Sequence, residues 1–242
     1  MSSVIFYKLA NTSVLDLTFD GTVYPTINPK QTYGSSSTTL DIEINYTADV
    51  AVDHIAILGL TQFTGLTFDL DFKNSGGTSI GTESIAQTVE SFPRTTAHQI
   101  LSFTELSPRK IEIQITGITG DISIAGIFPF LEFMQPSRDY QSGAGFDLAT
   151  ERKISQSETF SFARNSSKLR TFNLPFVLLV DADISQLHQL DALAGDDPIL
   201  VRNDPSLASC EKWMVANWNI GRTTFDAFNS VSANLIELRA WL

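Results

Sequence analysis

The chain has 242 residues, of which 43% are hydrophobic and 18% charged, a balance too apolar for a disordered polypeptide and long enough for one large or two smaller cores. Lys and Arg number 16 against 27 Asp and Glu, a formal charge of −11. No basic run interrupts that balance, so direct nucleic-acid binding is not expected, and a single cysteine, Cys210, excludes an internal disulfide and the common cysteine-based zinc sites.

In chain order, Met1–Lys8 lacks the basic and apolar regions of a signal peptide, so synthesis in the cytoplasm is expected, and no apolar run reaches the length of a membrane span. Tyr33–Ser37 reads as a turn-rich break. Leu40–Tyr46 then alternates, with Leu40, Ile42, Ile44 and Tyr46 on one face, as a half-buried strand requires. Val52–Gly59 is nearly continuous in apolar residues and suits a central strand covered on both faces. Leu66–Phe72 alternates again, and Asn74–Thr78 is a second break. Gly76–Gly81 has phosphate-loop spacing, but Thr82-Glu83 replaces the required Lys-Ser/Thr, so it too is read as a turn. Ile111–Ile115 and Ile122–Ile124 complete a series of short strands that predicts a β-sandwich or jelly roll over residues 1–125.

A second β-rich domain is expected over residues 126–242. The apolar run Ile127–Phe133 opens it, and a long loop, Gln135–Gly145, follows. Strands are predicted at Glu158–Ala163, Leu169–Leu174, Pro198–Arg202 and Asn234–Leu242. One helix is predicted near 183–194, with Ile184, Leu187 and Leu190 on its apolar side, Asp181 or Asp183 as cap, and Gly195 beyond its end.

Candidate chemistry is sparse. His54, His98 and His188 are scattered, and His54 is read as a hydrogen-bonded core imidazole. Asp69 and Asp71 form a D-x-D on the outward positions of a strand, where solvated carboxylates are the simpler reading, and Asp181-Ala-Asp183 is explained by the positive end of the helix. Cys210, Asp196 and Asp197 are read as having no special role, and no catalytic residue, cofactor or metal ligand is expected. Trp213 and Trp218 are weighed as core residues, whereas Tyr140, in the Gly/Ser loop, is the candidate surface contact.

The segment Val52-Asp-His-Ile-Ala-Ile-Leu-Gly59, followed by Gly65 and Thr67–Phe72, resembles the structural proteins of tailed bacteriophages, in which such a strand leads through a short turn into an alternating strand; the resemblance implies a jelly-roll, galactose-binding-like domain. In order, Ile122–Phe128, Arg170–Phe176, Asp181–Gly195, Asp197–Val201 and Glu211–Met214 resemble a minor-tail or distal-tail layout. Gly59-Leu-Thr61 stands where members often carry G-H-N. The resemblance implies a virion protein of the tail tip or baseplate, assembled in the host cytoplasm. It would be a homo-oligomeric ring or adaptor joining the tail tube to hub, fibre or receptor-binding proteins, without membrane insertion. The alternative is a carbohydrate- or receptor-binding module at the tail tip.

Overall fold

The computed structural model describes residues 4–10, 14–24, 33–35, 38–62, 64–88, 97–135, 143–154, 160–176, 181–194, 198–203, 212–225 and 228–237. The chain is mostly β and divides into two units, one built on Phe6–Ser91 and Thr96–Met134, the other on Gln135–Arg239.

The first unit holds β1 (Val4–Leu9), β2 (Val14–Phe19), β3 (Thr22–Tyr24), β4 (Tyr33–Ser35), β5 (Leu40–Tyr46), β6 (Val52–Leu60), β7 (Thr67–Lys73), β8 (Ser79–Ala86), β9 (Ala97–Leu106), β10 (Lys110–Thr116), β11 (Ile122–Ile124) and β12 (Gly126–Met134). One sheet runs β1-β12-β6-β9 and the other β3-β2-β5-β10-β7-β8. Setting aside the added β2–β3 hairpin and the β4–β11 ribbon, the remaining strands interleave first-last-third-sixth in one sheet and second-seventh-fourth-fifth in the other. That is the jelly-roll order.

The alternation of the sequence builds the interior. Ile42, Ile44, Phe68, Leu70, Phe72, Ile111, Ile113 and Ile115 point inward from one sheet and meet Val52, Ile55, Ile57, Leu60, Leu101 and Ile127 from the other. The Phe72 and Phe103 rings pack at 4.7 Å between centroids. Each fully buried Phe or Ile contributes about 2 kcal/mol of transfer free energy, which makes this register costly to shift. β6 is buried along its entire length, as its continuous apolar sequence predicts.

Three segments of the first unit differ from expectation, the first being Ser79–Gly81, which belongs to strand β8 rather than to a turn. Tyr33–Ser35 is not a break but a strand, paired with β11 from Ile122↔Ser35 to Ile124↔Tyr33. The Ile127–Phe133 run does not open the second unit. It lies in β12, which pairs with β6 on one side and β1 on the other, so that unit begins at Gln135 rather than at 126. Its high apolar content reflects that central place between two partners.

The second unit holds β13 (Gly143–Ile154), β14 (Phe160–Phe176), α1 (Asp181–Ala194), β15 (Ile199–Asn203), β16 (Lys212–Phe225) and β17 (Phe228–Glu237). Its strands follow the order β13-β14-β17-β16-β15 and pair antiparallel. Of the two strands expected at Glu158–Ala163 and Leu169–Leu174, the first lies outside the described residues up to 159, and from Phe160 on the two form one continuous strand, β14. The polar Asn165-Ser-Ser167 between them is absorbed where the register steps from Arg164↔Thr150 to Lys168↔Leu148. The segment that the sequence gives as the end of a loop, Gly143–Gly145, opens β13. α1 packs against β16 with Leu187 and Leu190 buried and Ser185, Gln186, His188 and Gln189 exposed. The helix begins at Asp181, two residues before the expected start, so Asp181 and Asp183 lie within its first turn rather than capping it from outside. No described helix is long and apolar enough to cross a membrane.

Candidate functional site

Two surfaces of the first unit carry organised polar groups. The first is a rim of loops at one end of the sandwich. The β6–β7 loop must carry the chain from one sheet to the other in six residues. Gln62 fixes it: its Nε2 donates to the carbonyls of Thr64 (2.9 Å) and Gly117 (2.9 Å), while its Oε1 accepts from the Thr119 amide at 3.1 Å. Gln87, just after β8, donates from Nε2 to the Gln62 carbonyl (2.9 Å) and accepts at Oε1 from the Leu66 amide (3.2 Å). Thr61 and Ser123 exchange two more hydrogen bonds, 3.2 Å from the Thr61 amide to the Ser123 carbonyl and 2.9 Å from the Ser123 amide to Thr61 Oγ1. Behind them Gln99, buried on β9, accepts from the Thr88 amide at 2.9 Å.

The loops touch closely enough to require glycine. Gly65 and Gly117 have φ of +86° and +79°, and a Cβ on Gly117 would lie 2.2 Å from the Gly65 carbonyl oxygen. Thr61, Thr64, Thr119 and Asp121 remain exposed on this braced frame.

The second surface is a groove of about 700 Å³ on the outer face of the six-stranded sheet. Strand register lines up its side chains in rows: Glu43–Glu112–Asp71–Thr82 across β5, β10, β7 and β8, and Asp41–Gln114–Asp69–Ser84 beside it. Asp41, Glu43, Asp69, Asp71, Glu83 and Glu112 put six carboxylates on its lining. Like charges facing one another across a sheet are unfavourable, and two lysines at one end offset them. Lys110 Nζ lies 3.0 Å from Glu43 and 2.8 Å from Glu112; Lys73 Nζ donates to Glu112 and lies 3.6 Å from Asp71. Burial pulls the Glu112 carboxyl upward, but the hydrogen bonds from Lys110 and Lys73 outweigh it and hold the group below the usual carboxylate range. The other row has no lysine: Asp41 accepts from Gln114 at 2.8 Å and Asp69 from Ser84 at 2.5 Å. Asp69 and Asp71 thus occupy the outward positions expected of them, half-buried in a groove rather than standing free in solvent.

The remaining sequence candidates fall elsewhere. His54 is a buried, hydrogen-bonded imidazole: its Nδ1 is 2.7 Å from Asp53 Oδ1, the Tyr7 ring is 4.4 Å away, and Asp53 Oδ2 accepts from the Glu132 amide at 3.0 Å. His98 is buried on β9, and His188 is exposed on α1. Trp213 and Trp218 stand on β16, paired with Arg202 and Leu235, and their side chains lie outside the described set. Tyr140, Cys210, Asp196, Asp197 and Gly195 lie outside the described residues. Among the described residues, no three of His, Cys, Asp and Glu are grouped to hold a metal ion. Gln62 and Gln87 are absent from the sequence-derived candidates because a glutamine in a polar turn carries no signature of its own. Only the glycines at 65 and 117 mark the close approach that the two amides lock.

No family model matches the chain, and no curated protein does. Among solved structures, it is similar to a chitosan-binding module of a chitosanase/glucanase from Paenibacillus sp. IK-5, at 13% identity and TM-score 0.38 over 52% of this chain and 99% of that one. A fucose-binding module from Streptococcus pneumoniae matches at 13% identity and TM-score 0.38, over 51% of this chain and 97% of that one. A Clostridium perfringens module in complex with GalNAc-β-1,3-galactose matches at 11% and 0.36, over 49% and 100%. At these scores the likenesses carry no argument, and the reading of the surfaces rests on their own geometry.

Proposed function

We propose that the chain is a carbohydrate- or receptor-binding module of a phage tail tip, acting by contact through the loop rim of its jelly roll. The observation that carries this reading is the glutamine-braced rim. It presents the exposed Thr61, Thr64 and Thr119 side chains and the Asp121 carboxylate on loops already held in place, so a hydroxyl-rich ligand would be bound with little loop-ordering cost. A glycan array and a cell-adsorption assay test it. The wild type is expected to retain a defined subset of glycans, and Gln62→Ala to weaken retention about tenfold while the far-UV spectrum is unchanged. Absence of any glycan or cell binding by the wild type at high concentration would refute it.

A second reading, a ring or adaptor between tail tube and hub, is favoured by the ordered likeness to distal-tail proteins. What supports it in the fold is β6, which passes through the short Gln62 loop into alternating β7. Electron microscopy of particles decides it, since a protein absent from virions could not serve there.

A further inference from the structure

Residues Phe146–Ile154 of β13 and Phe160–Arg170 of β14 form a two-stranded arm. β13 pairs with β14 throughout, but β17 pairs with β14 only from Thr171 to Phe176. Among the described strands, therefore, none covers the second edge of β14 from Phe160 to Arg170, and β13 is the outermost strand of its sheet. Nine residues of β13 make this arm roughly 30 Å long. An isolated two-stranded hairpin is marginal in water and presents unpaired backbone groups, so an arm of this length calls for a partner.

Its composition points to the chemistry of that partner. Between Phe146 and Arg170 the chain places Arg152, Lys153, Arg164, Lys168 and Arg170, five of its 16 basic residues, with only three of its 27 acids. The chain as a whole is strongly acidic, and six of its 27 acids line the groove on one sheet face, where the Asp41–Asp69 row has no lysine.

We infer that the basic arm of one copy lies on the acidic groove of a second copy, joining copies head to tail. Such a heterologous contact leaves one arm and one groove free at the ends, and so generates rings or open chains. The inference does not depend on the rim or its ligand, since no rim residue lines the groove.

Light scattering after size-exclusion chromatography of the full chain, at low and high salt, is the test. The wild type is expected to form a multimer whose mass falls as salt rises. Reversing the arm (Arg164→Glu, Lys168→Glu, Arg170→Glu) or the groove (Asp41→Lys, Asp69→Lys) should raise the dissociation constant at least about tenfold and leave each variant monomeric. Mixed together, the two variants are complementary at both contacts and should recover the multimer, a result that misfolded chains could not give. A monomeric wild type at low salt, variants that keep the wild-type mass, or a mixture that stays monomeric would each overturn the inference. Rim function is read separately by glycan retention of the same variants, so failure of one does not mimic failure of the other.

Discussion

At the scale of single residues, the groove and the core make opposite demands on polar atoms. Tyr46 ends β5 with its ring in the core, and its buried hydroxyl has no hydrogen-bond partner among the described residues. Burial pushes that phenol well above its usual pKa. A buried donor left unpaired costs more than it contributes, so Tyr46→Phe should raise the unfolding free energy by about 1 kcal/mol, measurable as a higher urea midpoint with an unchanged slope. Glu112 is the converse. Its pKa is lowered in the folded chain, so its stabilising contribution is present above its ordinary value of 4.5 and is lost as pH falls through the lower folded value. Glu112→Gln should therefore cost about 1 kcal/mol at neutral pH, a modest figure because the network is partly screened by solvent, and the gap to wild type should close in strongly acidic buffer. Urea titrations of both proteins across that range measure it.

At the scale of elements, legibility followed periodicity. β5, β7 and β10 were readable because each has one buried and one wet face, and β6 because a strand covered on both faces has no wet positions to spare. β13 was not: Ala-Thr-Glu-Arg-Lys alternates poorly, and what makes it a strand is its long pairing with β14, a contact between residues that single-sequence patterns do not register. The Tyr33–Ser35 strand was hidden for the same reason, since Gly34 and Ser35 read as a turn until β11 supplies a partner. α1 was legible in its Leu187–Leu190 stripe, and its start falls at Asp181. The rim tests how far a loop can be an element in its own right. Gly117→Ala must place a Cβ against the Gly65 carbonyl at a left-handed φ, so it should destabilise by about 2 kcal/mol or more and loosen both loops together, visible as faster amide exchange over residues 61–66 and 117–121.

At the scale of the whole molecule, alternation foretold two layered β units but not the surfaces they display. Asp69 and Asp71 were visible as outward residues; their meeting with Asp41, Glu43 and Glu112 depends on the order of β5, β10 and β7, which no local pattern contains. The rim depends likewise on three loops, far apart in sequence, arriving at one end of the jelly roll. Both surfaces suit a protein that works by holding other molecules. The proposed binding role depends most directly on where a ligand touches the jelly roll. Backbone amide shifts of the labelled protein, followed during titration with the best glycan from an array, locate that contact. The prediction is that perturbations cluster on Thr61–Leu66, Gln87–Thr88 and Gly117–Asp121; shifts confined to the other end of the sandwich, or no shifts at saturating glycan, would contradict it.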